Sequence, residues 1–219
     1  MSVETDASPD RGRAPQLLKH ALAEHHLGAL RDRETSTEAF RRHLRELSRL
    51  VLAEALRDLA LEEREVRTPL GAATTIRCAT PPLLVPVLRA ALGMAEAGAE
   101  MIPGAQVRHL GIRRDERTLE PVSYYCRLEG APPRGTCLLL DPMLATGGSA
   151  VAALDALRAW GAVDLRFVGL IGAPAGVRAL QAAHPAVPIH LAALDPTLDD
   201  RGYIVPGLGD AGDRYFGTQ

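Results

Sequence analysis

Lysine is all but missing. Among 219 residues Lys19 is the only one, so the basic charge rests on arginine. That excludes most lysine chemistry, including a Walker-type phosphate lysine behind a glycine loop. Cysteine is scarce and odd in number. Cys78, Cys126 and Cys137 lie far apart, with no CxxC pair and no Cys/His cluster at zinc spacing. Reduced thiols in a cytoplasmic protein are the expectation. No apolar run approaches the roughly 20 residues needed to cross a bilayer. The opening MSVETDASPDRGRAP lacks the apolar stretch of a signal peptide and reads as a disordered tail over 1–15. No basic excess exists either: the formal net charge is -2. Neither nucleic acid nor a membrane is indicated as a partner. Residues 16–219 have the length of a single domain with a full core.

What remains is dominated by alternating apolar blocks. Thr35-Ser36-Thr37-Glu38 has a capping-box pattern. Phe40, Leu44, Leu47, Val51, Ala55 and Leu59 follow on one helical face, as a packing helix requires. Leu83 to Leu88 reads as a buried strand that turns at Arg89 into an Ala/Leu/Met-rich helix. VRHLGIRRDERTLEPVSYYCRL reads as two strands around a charged loop, with six charged residues among the eight from Arg113 to Glu120. From Cys137 the pattern becomes strand 137–140, helix 149–160, strand 165–171, helix 175–183 and strand 188–194. Gly161 stands where a helix C-cap is expected. Near-continuous apolar strands alternating with helices predict an α/β fold, a parallel sheet flanked by helices. Ligands in such sheets bind beyond the carboxyl ends of the strands.

One such end is CLLLDPMLATGGSA, 137–150. A helix N-terminus offers unpaired N–H groups and a positive dipole end to a phosphate. Thr146 and Ser149 add hydroxyls, while Gly147 and Gly148 let the backbone close around an anion. Asp141 would repel an adjacent phosphate and is better used to accept hydrogen bonds from a diol. Acid and loop together describe a ribose 5-phosphate site; an ordinary βα turn capped by serine is the bland alternative. GLGDAG, 207–212, spells GxGxxG but lacks the downstream helix and acid of a dinucleotide site. It therefore reads as a structured terminal loop whose backbone groups suit a flat base. Arg89 and Arg114 can each donate in a fork to phosphate oxygens. The seven histidines show no metal-binding constellation, and His25, His26, His184 and His190 read as surface or loop residues.

These residues carry a resemblance. DPMLATGGS (141–149) is similar to the phosphoribosyl-pyrophosphate motif of uracil phosphoribosyltransferases. GYIVPGLGDAGDRYFGT (202–218) resembles their uracil-binding carboxyl terminus. VPVLRAALGM (85–94), GIRRDERTLEPVSYY (111–125) and HHLGALRDRETSTEAFR (25–41) resemble their pyrophosphate loop, β-arm and amino-terminal motif. The resemblance implies a type I phosphoribosyltransferase-like fold. It also implies conversion of uracil and 5-phospho-alpha-D-ribose 1-diphosphate to UMP and diphosphate in pyrimidine salvage. By position, Arg89 and Arg114 would contact the pyrophosphate. Asp141, Pro142, Met143, Leu144, Ala145, Thr146, Gly147, Gly148 and Ser149 would hold the ribose and its 5-phosphate. Ile204, Gly209 and Ala211 would bind uracil through their backbone. Asp210 would face the donor and also belong to the uracil pocket; no residue shows itself from sequence as a general base, and Asp210 is a candidate only. Magnesium would enter bound to the donor's pyrophosphate, with no direct protein ligand. A homodimer or higher homo-oligomer is implied. Three positions depart from the family pattern. Ala91 replaces a glycine, which would strain the loop if positive φ were needed there. Arg113 replaces a tyrosine, and EPVSY replaces EPVPY. A nucleotide-sensing regulator on the same fold, or an enzyme for another base, are the competing readings.

Overall fold

The computed structural model describes residues 14–114 and 121–218. The expected tail, apart from its last two residues, and the tip of the charged loop lie outside the described residues. Strands of unbroken apolar residues need cover on both faces, and the chain folds accordingly. An eight-stranded sheet runs in the order Gln16–Leu17, Ile189–Leu191, Leu165–Val168, Cys137–Leu140, Leu83–Leu88, Leu110–Arg114, Pro121–Cys126. Gln106–Val107 pairs off this path with Leu83–Leu84. Neighbours are parallel throughout, except the final pair, which is antiparallel and forms the arm.

Among the described residues six helices cover the sheet: α1 (Ala21–Arg31), α2 (Thr37–Ala55), α3 (Leu92–Met101), α4 (Gly148–Trp160), α5 (Pro174–Ala183) and α6 (Ala211–Phe216). Because side chains alternate along a strand, each strand serves two cores. Leu84, Leu138, Leu140 and Val168 pack with α1, α2 and α3. Val85, Leu139 and Phe167 pack with α4 and α5. In α2 the predicted stripe is buried from Phe40 to Ala55. Leu59 lies past the helix end and is only partly buried against this core. The capping box does not form as spelled. Ser36 is the N-cap and accepts from the Ala39 amide at 3.3 Å, while Thr35 donates its hydroxyl to the Ala29 carbonyl at 2.6 Å. Gly161 does cap α4, with φ 102°.

The structure departs from the sequence pattern in four further places. The expected strands 165–171 and 188–194 are each broken. Their far ends, Ile171–Gly172 and Ala193–Leu194, join Met143–Leu144 in a separate three-stranded parallel sheet. Gly169 sits at one break, where a Cβ would come within 2.8 Å of the Asp141 carbonyl. The apolar run hides this step, because both segments are buried. Second, Leu61–Thr68 and Gly71–Cys78 form an exposed antiparallel hairpin that the apolar pattern does not announce. Third, the terminal loop ends in a short helix, α6, capped by Asp210. Fourth, His184 and His190 are buried rather than superficial. His190 belongs to the strand Ile189–Leu191, and His184 follows α5 with its Nε2 3.1 Å from Asp155.

Candidate active site

The cleft lies beyond the carboxyl ends of Leu83–Leu88 and Cys137–Leu140. Asp141 is the first residue past the latter strand. Its Oδ1 accepts from the Met143 amide at 3.2 Å. Burial dominates its environment and pushes the carboxyl up to about 7, against the smaller opposing effect of that amide. The chain then passes through Met143–Leu144 and enters α4 through Gly147, whose φ of 86° suits glycine alone without strain. Its packing is equally demanding, since a Cβ there would lie 2.9 Å from both the Gly176 carbonyl oxygen and the Ala179 Cβ. Gly176 is the reciprocal partner: a Cβ on it would reach 2.5 Å from the Leu144 and Ala145 carbonyls. The start of α5 thus presses against the loop backbone. A small cavity of about 60 Å³ is lined by Asp141, Met143, Leu144, Ala145, Thr146, Gly147, Ser149 and Ala150.

A larger cavity of about 380 Å³ opens beside it. Asp141, Met143, Ala145 and Ser149 line both. Across it stand Val87 and Leu88 at the end of Leu83–Leu88 with Ala90 just past it, Ile112 from the arm, and Arg201 to Ile204 with Asp210 from the carboxyl-terminal segment. The expected ribose-phosphate loop and the expected base segment therefore share one cleft. Its size suits a small-molecule ligand.

The carboxyl-terminal segment is held by long-range polar contacts. Arg31 of α1 donates to both Asp195 oxygens, at 2.5 and 2.7 Å, and to the Gly207 carbonyl at 2.8 Å. The Gly207 amide donates back to Asp195 Oδ2 at 2.9 Å. Burial by itself would raise the Asp195 carboxyl, but the Arg31 guanidinium and the Gly207 amide outweigh it and hold the group below the ordinary value. Arg214 donates to the carbonyls of Leu208 at 2.8 Å and Asp32 at 2.6 Å, and also to Leu30, with its guanidinium 4.4 Å from the Phe40 ring centroid. Gly207 and Gly209 take φ of 64° and 75°. Sequence reading missed Arg31, Asp195 and Gly176. Arg31 and Asp195 are 164 residues apart, and no local signal links them.

Other expected residues stand differently. Ile204 and Asp210 line the cleft, whereas Gly209 and Ala211 flank Asp210 without lining it. Asp210 spends Oδ1 on the Asp213 amide as the α6 N-cap, at 2.9 Å. Arg89 does not line the cavity. Its guanidinium lies 5.6 Å from the Phe216 ring centroid and 3.6 Å from Asp213. Arg114 ends its strand, but its side chain and the loop beyond lie outside the described residues. Ala91 settles the strain question. It is fully buried, with φ −87° at the entry to α3, so the replaced glycine is not needed for a left-handed turn. The histidines also differ from expectation: packing of α1 on α2 gathers His25, His26 and His43 into one cluster.

Similarity to known proteins agrees with this geometry. The family model described as uracil phosphoribosyltransferase matches residues 17–218. A uracil phosphoribosyltransferase of Roseiflexus castenholzii is 56% identical over 92% of this chain and 97% of its own. One from Acholeplasma laidlawii is 49% identical over 93% and 98%. Among solved structures, the AQ2163 protein from Aquifex aeolicus superposes with TM-score 0.88 at 38% identity, covering 93% of this chain and 98% of its own. With the match running from the first strand through α6, the chain belongs to the uracil phosphoribosyltransferase family.

Proposed function

We propose that this chain transfers the phosphoribosyl group of 5-phospho-alpha-D-ribose 1-diphosphate to uracil, giving UMP and diphosphate. The observation that carries the reading is the shared lining of the two cavities. The loop suited to a 5-phosphate and the segment suited to a base meet at Asp141, Met143, Ala145 and Ser149. A bond forms between uracil N1 and the ribose C1, the C1–O bond to diphosphate breaks, and the N1 proton is released.

The backbone amides opening α4 and the Ser149 hydroxyl bind the 5-phosphate and fix the sugar. Asp141 accepts from the ribose hydroxyls. Ile204, Gly209 and Ala211 present backbone groups to the base, and Asp210 is placed to take the N1 proton. Negative charge grows on the departing diphosphate, where Arg89 and Arg114 stabilise it. Arg89 must first leave Asp213 to do so.

The residues fit magnesium. The ion would come with the donor's diphosphate, which with water fills most of its positions, so Asp141 and Asp210 need only offer carboxylate oxygens to its water shell from the same cleft. Bound with the donor, the ion would neutralise charge on the diphosphate oxygens. The reading also carries a homo-oligomer in the cytoplasm. The hairpin that leaves Leu61, Leu70 and Ile76 exposed supports self-association, and among the described residues no helix is long and apolar enough to cross a membrane.

The test is a panel of bases assayed with the donor and magnesium. UMP and diphosphate should form one to one from uracil, with no product from hypoxanthine, adenine or orotate. Equal turnover of a purine would overturn the base assignment, and binding without turnover would favour a regulator.

A further inference from the structure

Three imidazoles meet where α1 packs on α2, away from the cleft. His25 and His26 are consecutive on α1, and His43 lies on α2. Their ring centroids are 5.2, 5.2 and 5.8 Å apart. One ring nitrogen from each falls within 4.8 Å of the others. Nδ1 of His26 and Nδ1 of His43 are 2.9 Å apart, so at most one carries the intervening proton. We propose that His25, His26 and His43 form a binding site for a borderline divalent transition ion of the zinc class, pinning α1 to α2.

The chemistry favours that class. Neutral imidazole suits Zn²⁺, Ni²⁺ and Cu²⁺, whereas magnesium prefers hard oxygen. The site is thus separate in kind from the proposed magnesium-dependent reaction and does not depend on it. A tetrahedral ion with Zn–N near 2.0–2.1 Å needs nitrogens about 3.3 Å apart. The His26–His43 pair is within about half an ångström of that, and the exposed His25 ring, with a nitrogen within 4.8 Å of the other two, must move inward to close the third side. A metal can replace the hydrogen bond between the two Nδ1 atoms once the intervening proton moves to Nε2 of its own ring, which leaves both neutral imidazoles to ligate through Nδ1. The supporting elements are rigid: Leu27 and Leu30 of α1 interlock with Phe40, Leu44 and Leu47 of α2 in one buried cluster.

Burial, and the neighbouring histidines with it, lower the pKa of His26 and of His43. Two other charged groups face the cluster, both from α2. Arg42 opposes a cation. Glu46 favours one, though it also pairs with Arg49. The fourth position of a three-histidine ion would be open to water.

The test is calorimetric titration of Zn²⁺ into the metal-stripped full chain with excess magnesium present. One Zn²⁺ per chain should bind. The same site loaded with Co²⁺ should give the visible absorption of a tetrahedral ion. His43→Ala and His25→Ala should each weaken Zn²⁺ binding by more than about tenfold. Both variants should keep the wild-type circular dichroism, and His43→Ala should keep wild-type UMP formation. His25 is exposed, so its variant stays informative if His43→Ala misfolds. Absence of stoichiometric Zn²⁺ binding, or binding that survives either substitution in a folded protein, overturns the site.

Discussion

Asp141 is a carboxyl that the fold keeps close to neutrality, and this has consequences that can be measured. The group titrates near 3.8 when unfolded and at about 7 in the fold. The native state therefore holds its proton more tightly. Its contribution to stability is fully present below about 3.8 and is lost as pH rises to 7. Asp141→Asn should remove this pH dependence. It should raise the melting temperature of the free protein at pH 7.5, by roughly 2–4 °C for each kcal/mol relieved. The same change should cut kcat/KM at least tenfold, because an amide accepts poorly from two hydroxyls. Wild-type kcat/KM for the donor should fall as pH drops below about 7, since the ionised form is the proposed ribose acceptor. A pH profile of both variants checks all of this. A flat wild-type profile between pH 6 and 8 would remove Asp141 from the ribose site. Ala91 gives the opposite lesson. With negative φ and a buried methyl at the N-cap of α3, Ala91→Gly should destabilise by at most about 1 kcal/mol, through the lost methyl burial, and leave the donor KM unchanged. A lowered donor KM would revive the strained loop.

At the level of elements, the site depends on how loops are clamped. Gly147 lies between Asp141 and α4 in left-handed backbone, against the Gly176 carbonyl. Gly147→Ala adds roughly 1–2 kcal/mol of backbone strain and a steric clash as well. The donor KM should rise about tenfold or more, while the uracil KM changes less. The carboxyl-terminal segment depends instead on Arg31. Arg31→Met leaves the Asp195 carboxylate buried with only the Gly207 amide for a partner, at a cost of about 3 kcal/mol. It should raise the uracil KM more than the donor KM, because Gly207 opens the base segment. Denaturant melts and steady-state kinetics with each substrate varied in turn separate the two clamps. Equal effects on both KM values would mean general loosening of the fold.

The molecule as a whole shows what one sequence can disclose. Strand, loop and helix were legible around 83–101 and 137–183, because apolar runs, a glycine loop and a C-cap glycine are local signals. The site's two halves were legible for the same reason, and each sits in a contiguous motif. Their convergence was legible only through the family resemblance, since it depends on strand order. Three kinds of feature stayed hidden. The step in the sheet at Gly169 leaves both flanking segments buried, so the apolar pattern runs through it. The hairpin 61–78 is exposed on both faces, so it has no alternation to read. The Arg31–Asp195 clamp and the His25–His26–His43 cluster join residues that become neighbours only once α1 docks on its partners. In the proposed arrangement one cleft holds the phosphate at the start of α4 and the base at the carboxyl-terminal segment. A crystal structure with UMP bound tests it most directly. The phosphate should lie within hydrogen-bond distance of backbone amides among 145–149, the ribose hydroxyls on Asp141, and the uracil edge against backbone groups of 204–211. UMP seated elsewhere would contradict it, for instance in the arginine-lined cavity of Arg57, Arg158 and Arg166.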